Sequence, residues 1–222
     1  MIIIEPVIET WDARGFTAWP VSAYAGSEDL ALSGMLELAD IGTAMAVIAV
    51  YNQSHIAPPG EQDDRPSPAR LIQRIIQAES LIAPGGLRVR DTATGLTVSP
   101  GCCCGLENWQ EWNQVITGQS PWLGHGPPAP WVQHLGHGIR VWPDGGDEPP
   151  NAAPPPSTIP IEIPLSDLPG LIARAHQHLQ GFLDLLEPWA LPLAGSTACS
   201  LAPALAAHFH VSWPAPALTR PS

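Results

Sequence analysis

Ser166-Asp167-Leu168-Pro169-Gly170-Leu171-Ile172-Ala173-Arg174-Ala175-His176-Gln177-His178-Leu179-Gln180-Gly181-Phe182-Leu183-Asp184-Leu185-Leu186-Glu187 is the stretch that decides the fold. Leu168, Leu171, Ile172, Ala175, Leu179, Phe182, Leu183 and Leu186 recur at steps of three and four. Arg174, Gln177, Asp184 and Glu187 avoid that stripe. Such steps put side chains on one face of an α-helix. The spacing predicts a helix over 166–187, capped by Ser166-Asp167 and ending before Pro188. Burying its large apolar side chains contributes about 10 kcal/mol, before the opposing chain entropy. A face of that size needs a partner layer, and the extended segments upstream can supply it.

Those segments are short and paired. Residues 1–9 are rich in Ile and Val and read as a strand ending near Trp11-Asp12. Leu87-Arg88-Val89-Arg90 and Leu96-Thr97-Val98 alternate on either side of Thr94-Gly95, which predicts a hairpin. Trp131–His134 and Ile139–Trp142 predict a second hairpin. Ile159, Ile161 and Ile163 alternate with Pro160, Glu162 and Pro164, which suits an edge strand. Leu36, Leu38, Ala46, Ile48 and Val50 show period two around Gly42, so a hairpin turning at Asp40–Gly42 is expected. The Ala and Leu content over 28–50 makes a helix the competing reading there.

Ser67-Pro68 opens a helix predicted over 67–80, with Ser67 as cap and Pro68 at the first helical position. Leu106, Trp109, Trp112 and Ile116 predict another over 105–117, and Ser200–Phe209 a weaker last one. The expected architecture is one α+β domain over 1–222, its antiparallel hairpins forming one sheet covered by three to four helices. Residues 147–157 are acidic and proline-rich and read as a loop. The tail from about 213 reads as frayed.

Charge narrows the partners. The 222 residues carry 21 acidic side chains against nine basic ones, a net charge of −12. A surface of that sign repels phosphate backbones and anionic lipid, so nucleic acid and membrane are not expected partners, and a basic protein is. All nine basic residues are arginine, which removes lysine chemistry such as Schiff bases. The N-terminus lacks the pattern of a secretory signal, and the run Thr43–Tyr51 is too short to span a bilayer. The expected location is cytoplasmic.

One stretch has chemistry worth weighing: Pro100-Gly101-Cys102-Cys103-Cys104-Gly105 leads from a strand into the 105–117 helix. A thiol at a helix N-terminus sits at the positive end of the dipole, which favours thiolate. Cys103 or Cys104 is therefore a candidate nucleophile, with His125 or His134 as base and Asn108 or Asp144 as orienter. As metal ligands, Cys102 and Cys104 point to one side of an extended segment, and His134 and His137 flank a turn. Zinc or copper is what such a donor set would take, but adjacent cysteines depart from the usual zinc spacing, and the leading expectation is no cofactor. The competing reading packs the thiols as small apolar groups beneath Trp109 and Trp112. Trp109, Trp112, Trp122, Trp131 and Trp142 are close in sequence and make either an aromatic core or a binding surface.

Two functions follow. One is an acidic non-enzymatic binding or inhibitor protein, immunity-like, that neutralises a basic protein. The other is a metal- or thiol-dependent protein built on Cys102–Cys104. A purely structural subunit is not separable from the first by sequence.

Overall fold

A computed structural model of the chain describes residues 1–23, 25–26, 29–56, 66–101, 104–121, 123–124, 129–144 and 158–212. The 147–157 loop and the tail from 213 lie outside these. Ile2–Glu9 forms β1, the axis of a four-stranded antiparallel sheet. β2 (Asp29–Ala31) flanks it on one side; β3 (Gly85–Asp91) and then β4 (Thr97–Val98) lie on the other. β5 (Trp131–His134), β6 (Gly138–Trp142) and β7 (Ile161–Pro164) make a separate three-stranded sheet. The class is α+β as expected, but the hairpins divide between two sheets instead of sharing one. β4 has two residues and runs into Pro100, so it is too short an edge to recruit β5.

Register sorts the first sheet into two faces. Ile4 opposes Val89, Ile8 opposes Leu30, and Val89 opposes Val98. These residues and Leu87 join the apolar core, against which α5 (Leu168–Asp184) packs along β1. On the other face Glu5 lies between two arginines. Arg88 Nη2 is 2.9 Å and Arg90 Nε 2.6 Å from Glu5 Oε1. Pro6 has no N–H to give the ladder, yet its carbonyl accepts the Leu32 N–H at 2.8 Å.

All eight members of the predicted α5 stripe are buried, from Leu168 to Leu186. Ser166-Asp167 does not cap α5 as expected; no side-chain cap forms, and Ser166 Oγ donates to the Asp167 carboxylate at 3.1 Å instead. The helix bends at Leu185 and continues as α6 (Leu186–Ala194) through Pro188, which sits in the first turn where a proline costs no hydrogen bond. A 3-10 turn, Gly195–Ser200, then leads to α7 (Leu201–His208). By length and composition Leu168–His208 is apolar enough to cross a membrane. Here it breaks at Leu185 and Gly195, and both α6 and α7 pack on α3 (Pro68–Gln77).

Residues 38–51 correct the hairpin expected there: they form one helix, α1 (Leu38–Tyr51). Every residue from Ile41 to Ala49 is buried. A helix covered on all sides carries apolar residues at every position, so period two appears by coincidence. Its start is fixed by a reciprocal capping box between Glu37 and Asp40. Gly42 lets the chain at Pro20 cross it, because a Cβ there would collide with the Pro20 carbonyl. Trp19 Nε1 donates to the Gly42 carbonyl at 2.7 Å at that crossing. The short α2 (Gln53–Ile56) follows. In α3 the Arg70 N–H reaches Ser67 Oγ at 3.3 Å, the cap predicted for it. The apolar side chains of both sheets and the helices form one continuous cluster.

Candidate functional site

Antiparallel pairing brings three strand ends together: the end of β1 at Glu9, the start of β2 at Asp29 and the start of β3 at Gly85 share one end of the sheet, and β4 runs toward it from Val98. The thiol stretch docks there. Gly85 N–H donates to the Cys104 carbonyl at 3.1 Å, and Leu106 N–H to that of Ala83 at 2.8 Å. The chain then makes a 3-10 turn, Leu106–Glu111, and a single α-helical turn, α4 (Trp112–Ile116), where a continuous helix was expected. Glu107 is one cause. Its carboxylate folds back over Gly105, where any Cβ would collide with it, and accepts the Ala83 N–H at 3.2 Å.

Five carboxylates gather around this junction. Glu9 and Asp29 stand directly opposite in the β1–β2 register, half-buried, an arrangement of like charges that sheets normally avoid. Asp12, exposed in the 3-10 turn Trp11–Ala13, adds to their field. Burial, Asp29 and Asp12 together push the Glu9 carboxyl above the usual carboxylate range. Glu107 is also raised, chiefly by burial, against the lowering pull of the Ala83 N–H. Glu107, Glu111 and Glu9 all act on Cys104. In the same turn as Asp12, Trp11 leaves 60% of its surface in solvent.

The field decides the fate of the thiol. Cys104 is 7% exposed. Burial first, then Glu107 and Glu111, push it up to about 11, although the Gly105 N–H pulls the other way. The cap of the following turn is Gly105 and not Cys104, so the dipole benefit expected of a helix start falls one residue later. Cys104 stays protonated at neutral pH and is a poor nucleophile there. The void beside it is small, about 10 Å³. Cys104 itself lies buried beside Trp109 and Trp112.

Cys102, Cys103, Trp122 and His125 lie outside the described residues. His134 and His137 sit on the second sheet. His134 Nε2 is 2.9 Å from the Gln119 carbonyl, and His137 is exposed in the β5–β6 turn. Among the described residues no three His, Cys, Asp or Glu side chains converge in a way that holds a metal ion, so Cys104, His134 and His137 are not brought together.

The tryptophans divide between core and rim. Trp109 and Trp112 are buried; Trp109 Nε1 donates to the Phe209 carbonyl at 2.7 Å and its ring stacks on His176. Trp131 and Trp142 oppose each other in the β5–β6 register and stack at 5.9 Å, with Trp142 buried and Trp131 half-buried. Four of the five tryptophans proposed as a binding surface are thus fixed within the protein. Among the described residues the exposed tryptophan is Trp11, which sequence reasoning treated only as a strand end. Glu9, Asp12 and Asp29 were missed for the same reason: only strand register makes them neighbours.

No family model, curated protein or solved structure matches this chain.

Proposed function

We propose that the chain is an acidic, non-enzymatic binding protein of the cytoplasm that neutralises a basic protein, in the manner of an inhibitor or immunity protein. Nucleic acid and membrane are not its partners in this reading. The observation that carries it is the Glu9–Asp29 pair, two like charges opposed in a half-buried ladder position with a raised Glu9. Such a pair weakens the free fold and is relieved when a cation enters between the carboxylates. A partner's guanidinium satisfies it best, because its planar fork meets carboxylates two bonds at a time. Trp11 supplies the apolar anchor beside the charges, the residue type that most often dominates protein interfaces. Three of the described arginines pair elsewhere: Arg88 and Arg90 with Glu5, and Arg140 with Glu162.

The test is capture of partners by the full-length protein, at low salt, from cells that make it. The wild type should retain a basic protein at one-to-one stoichiometry and release it as salt rises. A Glu9→Gln/Asp29→Asn/Glu107→Gln variant should lose it. If no basic protein is retained, or if the triple variant retains it equally, the reading is wrong.

A further inference from the structure

Two of the chain's nine arginines stand side by side on β3. Arg88 and Arg90 are two residues apart, so both side chains leave one face of the strand, about 7 Å from each other. Like charges at that spacing repel unless an anion lies between them.

β1 supplies one carboxylate to that face. Glu5 opposes Arg88 in the register, and Ile3 opposes Arg90. Among the described residues every contact to Glu5 falls on a single oxygen, Oε1. Arg88 reaches it with Nη2 at 2.9 Å and Nε at 3.0 Å, and Arg90 with Nε at 2.6 Å. The Arg88 fork is aligned with that oxygen. Arg90 is near it but misaligned: its Nε–H is buried and, among the described residues, makes no hydrogen bond. Two positive charges thus share one negative charge, and one positive charge is left over.

No other described carboxylate takes it up. Asp91, the next residue, serves the Met1 amino group at 3.2 Å, the Ala93 N–H at 3.0 Å and the Thr94 hydroxyl at 2.9 Å. Its side chain also leaves the opposite face of the strand. The outer end of Arg90 meets solvent, with 41% of its side chain exposed against 17% for Arg88. Its two terminal nitrogens bond to no group among the described residues. Thr97, exposed on β4, is the register partner of Arg90 and brings a hydroxyl to the same face.

A guanidinium presents a planar fork of N–H donors, which a carboxylate meets with two parallel bonds. A single leftover charge matches a monoanion. From this triad we infer a binding site for a small carboxylate anion, seated on the terminal nitrogens of Arg90, with the charge of Arg88 and the hydroxyl of Thr97 beside it. Glu5 lies four residues from Glu9, about 13 Å along β1. The site uses none of the acidic-edge residues, so the failure of either reading leaves the other standing.

The experiment follows the arginine Nε–Hε signals of the full-length, nitrogen-15-labelled protein while acetate replaces chloride at constant ionic strength. The site predicts a saturable shift of the Arg90 signal, with half-saturation on the order of 10 mM. The signal of Arg140, an exposed arginine already paired with Glu162, should not follow it. Arg90→Gln leaves Glu5 its bonds from Arg88, so the variant should fold and melt close to wild type. It should weaken acetate at least about tenfold, read on the Arg88 signal, as expected for the loss of a charge-assisted bond. A triad that serves the fold alone gives a different result. An Arg90 shift that does not saturate, an equal response at Arg140, or unchanged acetate affinity in Arg90→Gln would overturn the assignment.

Discussion

Replacing Glu9 by glutamine should make the free protein more stable. Glutamine keeps the shape and the strand position but removes the charge. The backbone is unaffected, because Glu9 N–H stays bonded to the Pro84 carbonyl at 2.8 Å. What disappears is first the cost of burying a charge, then the repulsion across the β1–β2 ladder with Asp29 and the field of Asp12. A directly opposed pair contributes roughly 0.2–1 kcal/mol. For a chain of this size that corresponds to a rise in melting temperature of about 0.4–4 °C. The gain has a defined pH dependence. A carboxyl raised in the folded state binds its proton more tightly there than in the unfolded chain, so its destabilising effect grows as pH rises through and above the ordinary carboxylate range. The advantage of Glu9→Gln is therefore full near neutral pH and vanishes in acid, where wild-type Glu9 is already neutral. Adding Asp29→Asn should bring little more, because the pairwise repulsion can be removed only once. Thermal melts of wild type, both single variants and the double, at about pH 7.5 and about pH 4, read all of this. A Glu9→Gln protein no more stable than wild type at neutral pH, or a gain that persists undiminished in acid, refutes the reasoning.

Three further outcomes are expected. Gly181→Ala in α5 should destabilise by about 1–3 kcal/mol in denaturant unfolding, because its Cβ would stand 2.8 Å from the backbone nitrogen of Gly34. Cys199, exposed with its thiol only 3.1 Å from the Ser196 carbonyl, should alkylate readily at neutral pH, while Cys104 stays unmodified until the protein unfolds; peptide mapping after brief alkylation separates the two. His208 is lowered, mainly by burial, so the unfolded chain takes up its proton more readily than the fold; stability should fall as pH drops through the ordinary histidine range, and His208→Gln should flatten that part of the melting profile.

Much of the fold was legible because its strongest signals are local. The α5 stripe, the Ser67 cap and both hairpins are patterns within a few residues of chain, and each appears where its spacing put it. Helix α1 was misread because burial on all sides erases the period that distinguishes helix from strand. Pro188 looked like a stop, yet the bend at Leu185 restarts the helix and places that proline in a permissive first turn. The site was less legible. Glu9 and Asp29 become neighbours through register alone, and Trp11 becomes prominent only because the other described tryptophans are buried or half-buried. The cysteine run drew notice by composition, but the environment of Cys104 is set by its burial and then by Glu107 and Glu111, whose packing follows from a 3-10 turn that helical spacing does not anticipate.

The most direct test of the acidic edge as a recognition site is the carboxyl titration of Glu9 by carbon NMR, in the free protein and in the complex with the basic protein it captures. The account predicts a Glu9 that titrates above the ordinary carboxylate range when free and falls on binding, as a cation enters beside it. A Glu9 at its ordinary value when free, or one that the partner leaves unchanged, would contradict it.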